Sequence, residues 1–264
     1  MILGFIGCGN MATAIMNGII KNGIASPENI IGSDLSEVSR KKAEDTLGIS
    51  VVTDNKEVAK KADVLFLSVK PQFYETVINE IKEVVNLNQL IITIAPGKTL
   101  GWLSEQFGKT LKIVRCMPNT PALVGEGITA ACPNGQVTKE DFEQVKAILE
   151  SFGKCQVVEE HLMDVVTSVS GSSPAYVFMF IEAMADAAVA DGMPRAQAYE
   201  FAAQAVLGSA KMVLETGKHP AELKDMVCSP GGTTIEAVRV LEEKGMRSAV
   251  FEAMKACTKK SRGM

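Results

Sequence analysis

The sequence predicts an α/β fold class: a mostly parallel sheet domain over residues 1–160, followed by an all-helical half over residues 161–264. Two observations carry this. In the first half, short apolar runs are continuous rather than alternating and helical stretches separate them, the pattern of parallel strands covered on both faces. Beyond about residue 160 the strand signals stop and long helical segments take over. Neither a low-complexity linker nor an internal repeat interrupts the chain.

The expected strands are ILGFIG (2–7), NIIGSD (29–34), ADVLFLSV (62–69), QLIITIA (89–95) and LKIVRCM (111–117), each rich in β-branched or aromatic residues. Asp54 with Glu57, and Thr138 with Asp141, fit the polar-x-x-acid box of a helix start. Helices are expected in the second half near 160–190, 194–216, 219–227, 233–244 and 246–260. Pro174, Pro194 and Pro220 stand where a missing N–H does least harm, and Gly192, Gly217 and Gly245 where helices end. AYVFMFIEAMADAAVA (175–190) carries Glu182 and Asp186, so it reads as a buried helix, too short and too charged to span a bilayer. About 100 helical residues are few to bury their own apolar surface. They either pack on the sheet domain or, the preferred reading, form a homodimer through this half.

Composition narrows the function. Hydrophobic residues at 47% against 22% charged describe a globular chain. A net charge of −4 with scattered Lys and Arg argues against nucleic-acid binding. The six cysteines contain no CxxC, and His161 and His219 are isolated, so no metal site is expected. Free thiols suit a reducing compartment. Met1 leads straight into an apolar strand with no basic region, so no secretory leader is expected and the location is read as cytoplasmic.

Residues 7–12, GCGNMA, match G-x-G-x-x-A directly after a strand and at the mouth of a helix. The glycines allow a tight turn and close backbone approach to a pyrophosphate, which the helix N-terminus stabilises. Asp34 closes the second strand at the distance this Rossmann fingerprint requires. Its carboxylate would favour NAD, whereas Ser33, Ser36, Arg40 and Lys41 could neutralise a 2′-phosphate, so NAD and NADP both stay open. SVKPQ (68–72) and RCMPNTP (115–121) end later strands at the sheet edge where ligands bind. Lys70 fits a surface lysine and a ligand contact equally. Asn119 is either a turn former or a contact to the nicotinamide amide or the substrate.

A second glycine-rich stretch, CSPGGTTIEAV (228–238), places two glycines and two hydroxyls before an apolar helical pattern. It too reads as an anion cradle. Composition does not separate phosphate from carboxylate there.

FIGCGNMA, SVKPQ, RCMPNTP, SGSSPAY (170–176), DGMPR (191–195) and LKDMVCSPGGTTI (223–235) occur in order along the chain. On these strings it resembles, over essentially its whole length, the pyrroline-5-carboxylate reductases, which make proline by reducing a cyclic imine with NADPH or NADH. The resemblance implies an N-terminal Rossmann domain and a helical dimerisation domain whose partners interlock, in some members building larger rings such as a decamer. It implies cofactor contacts from Ile6, Gly7, Cys8, Gly9, Asn10, Met11 and Ala12, from Ser33 and Asp34, and from Asn55 on the adenosine side. It further places Ser68, Val69, Lys70 and Pro71 along the cofactor, with Ala95 at the next strand end and Asn119 beyond. Ser229, Gly231, Gly232, Thr233 and Thr234 would form the substrate loop, anchoring the imine's carboxylate. Thr234 could donate or orient a proton; Lys70 would need a lowered pKa to act as the acid. One departure is Met226, where family members often carry Asn, so a contact made by that amide is not carried over.

Two other readings compete. A β-hydroxyacid dehydrogenase shares the glycine-rich start but needs a lysine in the helix after its SG-rich segment, and SGSSPAYVFMFIEAMADAA has none. A cofactor-binding regulator without catalysis would not need the second cradle.

Overall fold

Each of the five apolar runs forms a strand in the computed structural model, which describes residues 1–263. Three further strands complete the sheet. The strands are β1 (Leu3–Ile6), β2 (Ile30–Ser33), β3 (Ser50–Val52), β4 (Val64–Leu67), β5 (Leu90–Thr93), β6 (Lys112–Met117), β7 (Gly127–Pro133) and β8 (Gly153–Val157). Their order is β3-β2-β1-β4-β5-β6-β7-β8, parallel throughout except that β7 runs antiparallel to β6. Helices α1 (Asn10–Lys21), α2 (Glu37–Leu47), α3 (Asn55–Lys61), α4 (Tyr74–Ile81), α5 (Leu100–Phe107) and α6 (Lys139–Glu150) fall between them in sequence.

Continuous apolar strands put one residue in two on each face, and both faces are covered. On one face Phe5 and Phe66 stack with ring centroids 4.4 Å apart, among Ile15, Met16, Ile19 and Ile92. On the other, Ile6, Leu65, Leu67, Ile91 and Ile113 meet Tyr74, Ile78, Leu103 and Phe107. The three strands outside the sequence reading are weakly marked. β3 is a three-residue edge strand, β8 is mostly exposed, and β7 is GITAACP, small residues held by pairing on both sides. The Thr138–Asp141 capping box forms with both of its hydrogen bonds. At α3 the expected box is replaced by a simple cap: Asp54 accepts from the Lys56 amide at 2.8 Å, while Glu57 pairs with Lys61.

Contacts divide the chain into one unit of Met1–Ser172 plus the stretch starting at Cys257, and a second of Ser173–Ala256. The residue-160 boundary thus marks the end of the last strand, and α7 (Met163–Val166) with a π-helical stretch, Thr167–Gly171, belongs to the sheet unit. The C-terminal stretch is tied to it by polar contacts: Cys257 Sγ to Ser172 Oγ at 3.3 Å, Thr258 to Ser168 at 2.9 Å and Ser261 to Asp164 at 2.7 Å.

The second unit holds α8 (Ser173–Ala190), α9 (Arg195–Thr216), α10 (Pro220–Val227), α11 (Thr233–Glu243) and most of α12 (Met246–Arg262). α8 packs on α9 through small residues, with Ala185, Ala198 and Ala202 buried, and Asp186 pairs with Arg195 at 2.5 Å. The expectation of a buried α8 does not hold within one chain. Ala185 is its one buried residue among those described, and Phe178 and Met179 are 61% and 68% exposed. The longer helical run Glu160–Ala190, of which α8 is part, is long and apolar enough by composition to cross a membrane.

Cys8, Cys116, Cys132 and Cys155 are all buried, and burial is the main cause pushing their thiols up, Cys8 to about 12 and Cys155 to about 11. Unfolded thiols ionise near pH 9, so above that pH the folded state binds more protons than the unfolded one. Stability from these groups is complete below about pH 9 and is lost as pH rises towards 12. Thermal unfolding followed by circular dichroism should show Tm falling steadily between about pH 8.5 and 10.5; a flat Tm would rule this out.

Candidate active site

The chain leaves β1 towards β2 and later returns to β4 on the other side of β1. A crevice opens at such a switch point, beyond the carboxyl ends of the strands. The turn after β1 fills its floor. Gly7 has φ +94°, and a Cβ there would lie 2.9 Å from the Ser68 carbonyl, so this position requires glycine. The Gly7 amide donates to the Ser33 carbonyl at 2.7 Å. The Ser68 hydroxyl lies 3.0 Å from the Ile6 carbonyl and 2.7 Å from that of Gly7, fixing the end of β4 to the turn.

Gly9 then caps α1 with extended backbone and no side chain to offer. The amides of Asn10, Met11 and Ala12 precede the first intrahelical bond, which Thr13 makes to the Gly9 carbonyl at 2.9 Å. With no acidic residue in the first turn, this helix end is a positive site open to an anion. The orphaned amides fit a dinucleotide's pyrophosphate.

Asp34 does something the sequence did not reveal. Its Oδ2 accepts from the Cys8 amide at 2.8 Å and its Oδ1 from the Ser36 amide at 2.8 Å. The carboxylate therefore clamps the glycine-rich turn to the turn after β2. Arg40 closes the same corner, donating to the carbonyls of Asp34 at 2.9 Å and Leu35 at 3.0 Å. The Cys8 side chain is buried, and its thiol points inward to the Ser33 carbonyl. Ser33 is buried as well; its hydroxyl bonds Asn55 Oδ1 at 2.8 Å, and the Asn55 amide donates to Glu80 at 2.6 Å. Glu80 thus orients Asn55, a role that sequence spacing could not show.

On the far side, Val69 is half-buried, Lys70 is exposed, and Pro71 opens a 3₁₀ turn, Pro71–Phe73. Ala95 is buried just past β5. Asn119 is buried too, and its Oδ1 accepts from the Ile128 amide at 2.9 Å, so the oxygen end of this amide anchors the entry to β7.

The second cradle, in the helical unit, repeats the first helix start. Gly232 caps α11 with φ −78° and ψ 171°, against −73° and −174° at Gly9, and again without a side-chain cap. Its amide donates to the Ser229 carbonyl at 3.0 Å. Gly231 has φ +68°. Ser229 and Thr233 are exposed and Thr234 half-buried around this turn. Glu236, the one acidic residue of the first turn, is drawn down the helix to Arg239 at 2.7 Å.

Residues 160–264 match a family model described as pyrroline-5-carboxylate reductase dimerisation, and residues 2–97 match one described as NADP oxidoreductase coenzyme F420-dependent. Over 259 residues the chain is 56% identical to the pyrroline-5-carboxylate reductase of Escherichia coli, covering 98% of this chain and 96% of that one. This chain belongs to the pyrroline-5-carboxylate reductase family. The family's member from Methanosarcina acetivorans is 45% identical over 260 residues, with the same two coverages. Among solved members, the Plasmodium falciparum enzyme with NADP bound superposes with a TM-score of 0.91 at 35% identity, over 100% of this chain and 97% of that one. The Coxiella burnetii structure gives 0.89 at 35% identity, over 99% and 97%.

If Asp34 is a clamp, Asp34→Ala strands two amides and loosens the turn. NADH and NADPH should both bind more weakly, about tenfold or more for NADH. NADPH should lose less, because a repulsive charge near its 2′-phosphate is gone. Fluorescence titration with each nucleotide reads this directly. A variant that binds NADPH more tightly than the parent would make Asp34 a specificity charge and not a clamp.

Proposed function

We propose that this chain reduces 1-pyrroline-5-carboxylate to L-proline, the last step of proline biosynthesis, with NADPH or NADH as hydride donor. One observation carries the reading: a family member with two glycine-capped helix starts has two anion cradles, matching a reaction between two anionic molecules. The first suits the dinucleotide's pyrophosphate and the second the carboxylate of the imine.

When bound, the reduced nicotinamide supplies the hydride for C5 of the ring, while the C=N π electrons become the nitrogen lone pair. The chain supplies the rest. We assign the amides of Asn10 to Ala12 to the pyrophosphate, Ser33, Asp34 and Asn55 to the adenosine side, and Ser68 to Pro71 with Ala95 and Asn119 to the nicotinamide side. The amides of Thr233 and Thr234, with the Ser229 hydroxyl, are assigned to the substrate carboxylate. The Thr234 hydroxyl then orients the proton on the ring nitrogen, with Lys70 as the second candidate for that proton. An iminium is already charged near neutral pH, so a strong acid is not required. Positioning two bound reactants supplies most of the rate.

The helical half matches a dimerisation family. We infer a homodimer that covers the exposed apolar side chains of α8 and α9, and dimers could assemble further into a ring such as a decamer. The proposed partners are otherwise small molecules only, with neither nucleic acid nor membrane among them. All six cysteines are free, which suits a cytoplasmic location.

The purified protein should oxidise NAD(P)H with pyrroline-5-carboxylate and fail to reduce NAD(P) with 3-hydroxy acids; the reverse pattern would overturn the assignment. Thr234→Val should lower kcat about tenfold to a hundredfold, the contribution of one positioned donor. Full activity would remove Thr234 from the mechanism. Gly231→Val forces a β-branched residue into a left-handed turn at φ +68°. It should raise KM for the imine and leave cofactor affinity intact; loss of both would contradict two separate cradles.

A further inference from the structure

Arg115 lies on β6 close to its carboxyl end and is only 6% exposed. A buried guanidinium is costly unless paired and hydrogen-bonded. Its partner is Glu160, whose Oε1 accepts from Arg115 Nη1 at 3.0 Å. The same oxygen accepts from the Leu100 amide at 2.7 Å. Leu100 is the first residue of α5, and Thr99, accepting from the Trp102 amide at 3.1 Å, is its cap. One carboxylate oxygen therefore joins β6, the segment after β8 and the positive end of α5.

What this joint holds in place is the loop of residues 95–99, which leaves β5 and enters α5. Pairing runs β2-β1-β4-β5 across the sheet. With the pyrophosphate turn at β1 and Asp34 at the end of β2, the adenosine half falls on the β2 side and the nicotinamide on the β4 and β5 side. The 95–99 loop stands there. The register also places Thr93 beside Arg115, and the Thr93 hydroxyl is buried without a hydrogen-bond partner. A polar row at strand ends is more than packing requires, and an orphaned hydroxyl there calls for an explanation.

We propose that Arg115 and Glu160 are positioning residues: through the Leu100 amide and the start of α5 they hold the 95–99 loop as a wall of the nicotinamide subsite. This rests on the reading of the β1 turn as a dinucleotide site. It separates two parts of cofactor recognition. Pyrophosphate and adenosine are held by β1, β2 and α1, and these are untouched when the joint is cut.

The test compares the full-length protein with Glu160→Ala, Glu160→Gln and Arg115→Met. Affinities for NADPH and for 2′-phospho-ADP-ribose, which lacks nicotinamide, are measured by calorimetry beside steady-state kinetics with pyrroline-5-carboxylate. Glu160→Ala and Arg115→Met should lower kcat about tenfold and weaken NADPH, while 2′-phospho-ADP-ribose stays within about twofold. Glu160→Gln, which still accepts from Leu100, should recover most of kcat. Equal weakening of both nucleotides would mean general loss of structure, and unchanged kinetics would mean no role; either overturns the proposal. A wild-type protein that turns over while the variants match it sinks this inference alone, whereas an inactive wild type removes the functional reading with it.

Discussion

A helix that starts on glycine has no side chain with which to close its first amides, and Gly9 before α1 and Gly232 before α11 are two such starts. Five other helix starts are closed by a side chain: Ser36, Asp54, Thr99, Thr138 and His219 each place an acceptor on an amide of the first turn, whereas α4, α7 and α9 start without one. A cap of that kind is worth about 1 kcal/mol, and it fills the place an anion would take. At Gly9 and Gly232 it is forgone. α1 is held instead by its buried face of Ala12, Ala14, Ile15, Met16 and Ile19, which leaves its open amides for a ligand.

An open helix end discriminates only if the turn feeding it is held still. The glycine-rich turn is fixed from three directions: from β4 by the Ser68 hydroxyl, from β2 by the Ser33 carbonyl, and from the turn after β2 by the Asp34 carboxylate. These strands are neighbours because the sheet reverses its order at β1. The switch point thus creates the crevice and also supplies the groups that make its floor rigid. Asp34 is half-buried and spends one lone pair of each oxygen on an amide, so its charge is committed to the protein before any ribose arrives.

Local chemistry made much of this legible in the sequence. The five apolar runs, the helix starts at proline, the helix ends at glycine and both glycine-rich turns are each written in a few adjacent residues. What escaped depends on partners far apart in the chain. β7 sets strand-favouring Ile128 and Thr129 among glycine, alanines, a cysteine and a closing proline, too short an apolar run to mark a strand, and the pairing of β6 and β8 with it completes it. Asp34 was visible as an acidic residue at the expected distance, but its bond to Cys8 is a tertiary fact. Arg115 and Glu160 are 45 residues apart, and no periodicity connects them. Asn119 shows the reverse case: a residue type suited to ligand contact whose oxygen is taken by the Ile128 amide.

The helical half departs from its sequence pattern for a different reason. The apolar content of α8 is not matched by burial in this chain, where Ala185 is its one buried residue among those described. α8 and α9 meet through alanines, which brings their backbones close and turns the large side chains outward. Phe178, Met179, Phe201, Leu207 and Leu214 are each more than half exposed. Fully covering a side chain of this size contributes about 1.5–3 kcal/mol. With about two thirds of each still exposed, the five together contribute roughly 5–10 kcal/mol per copy, within the roughly 4–15 kcal/mol lost when two bodies associate. Counting both copies doubles the favourable side without a second association cost. A second copy of the same chain, the partner proposed above, would supply enough apolar cover to make the exposed helices a core.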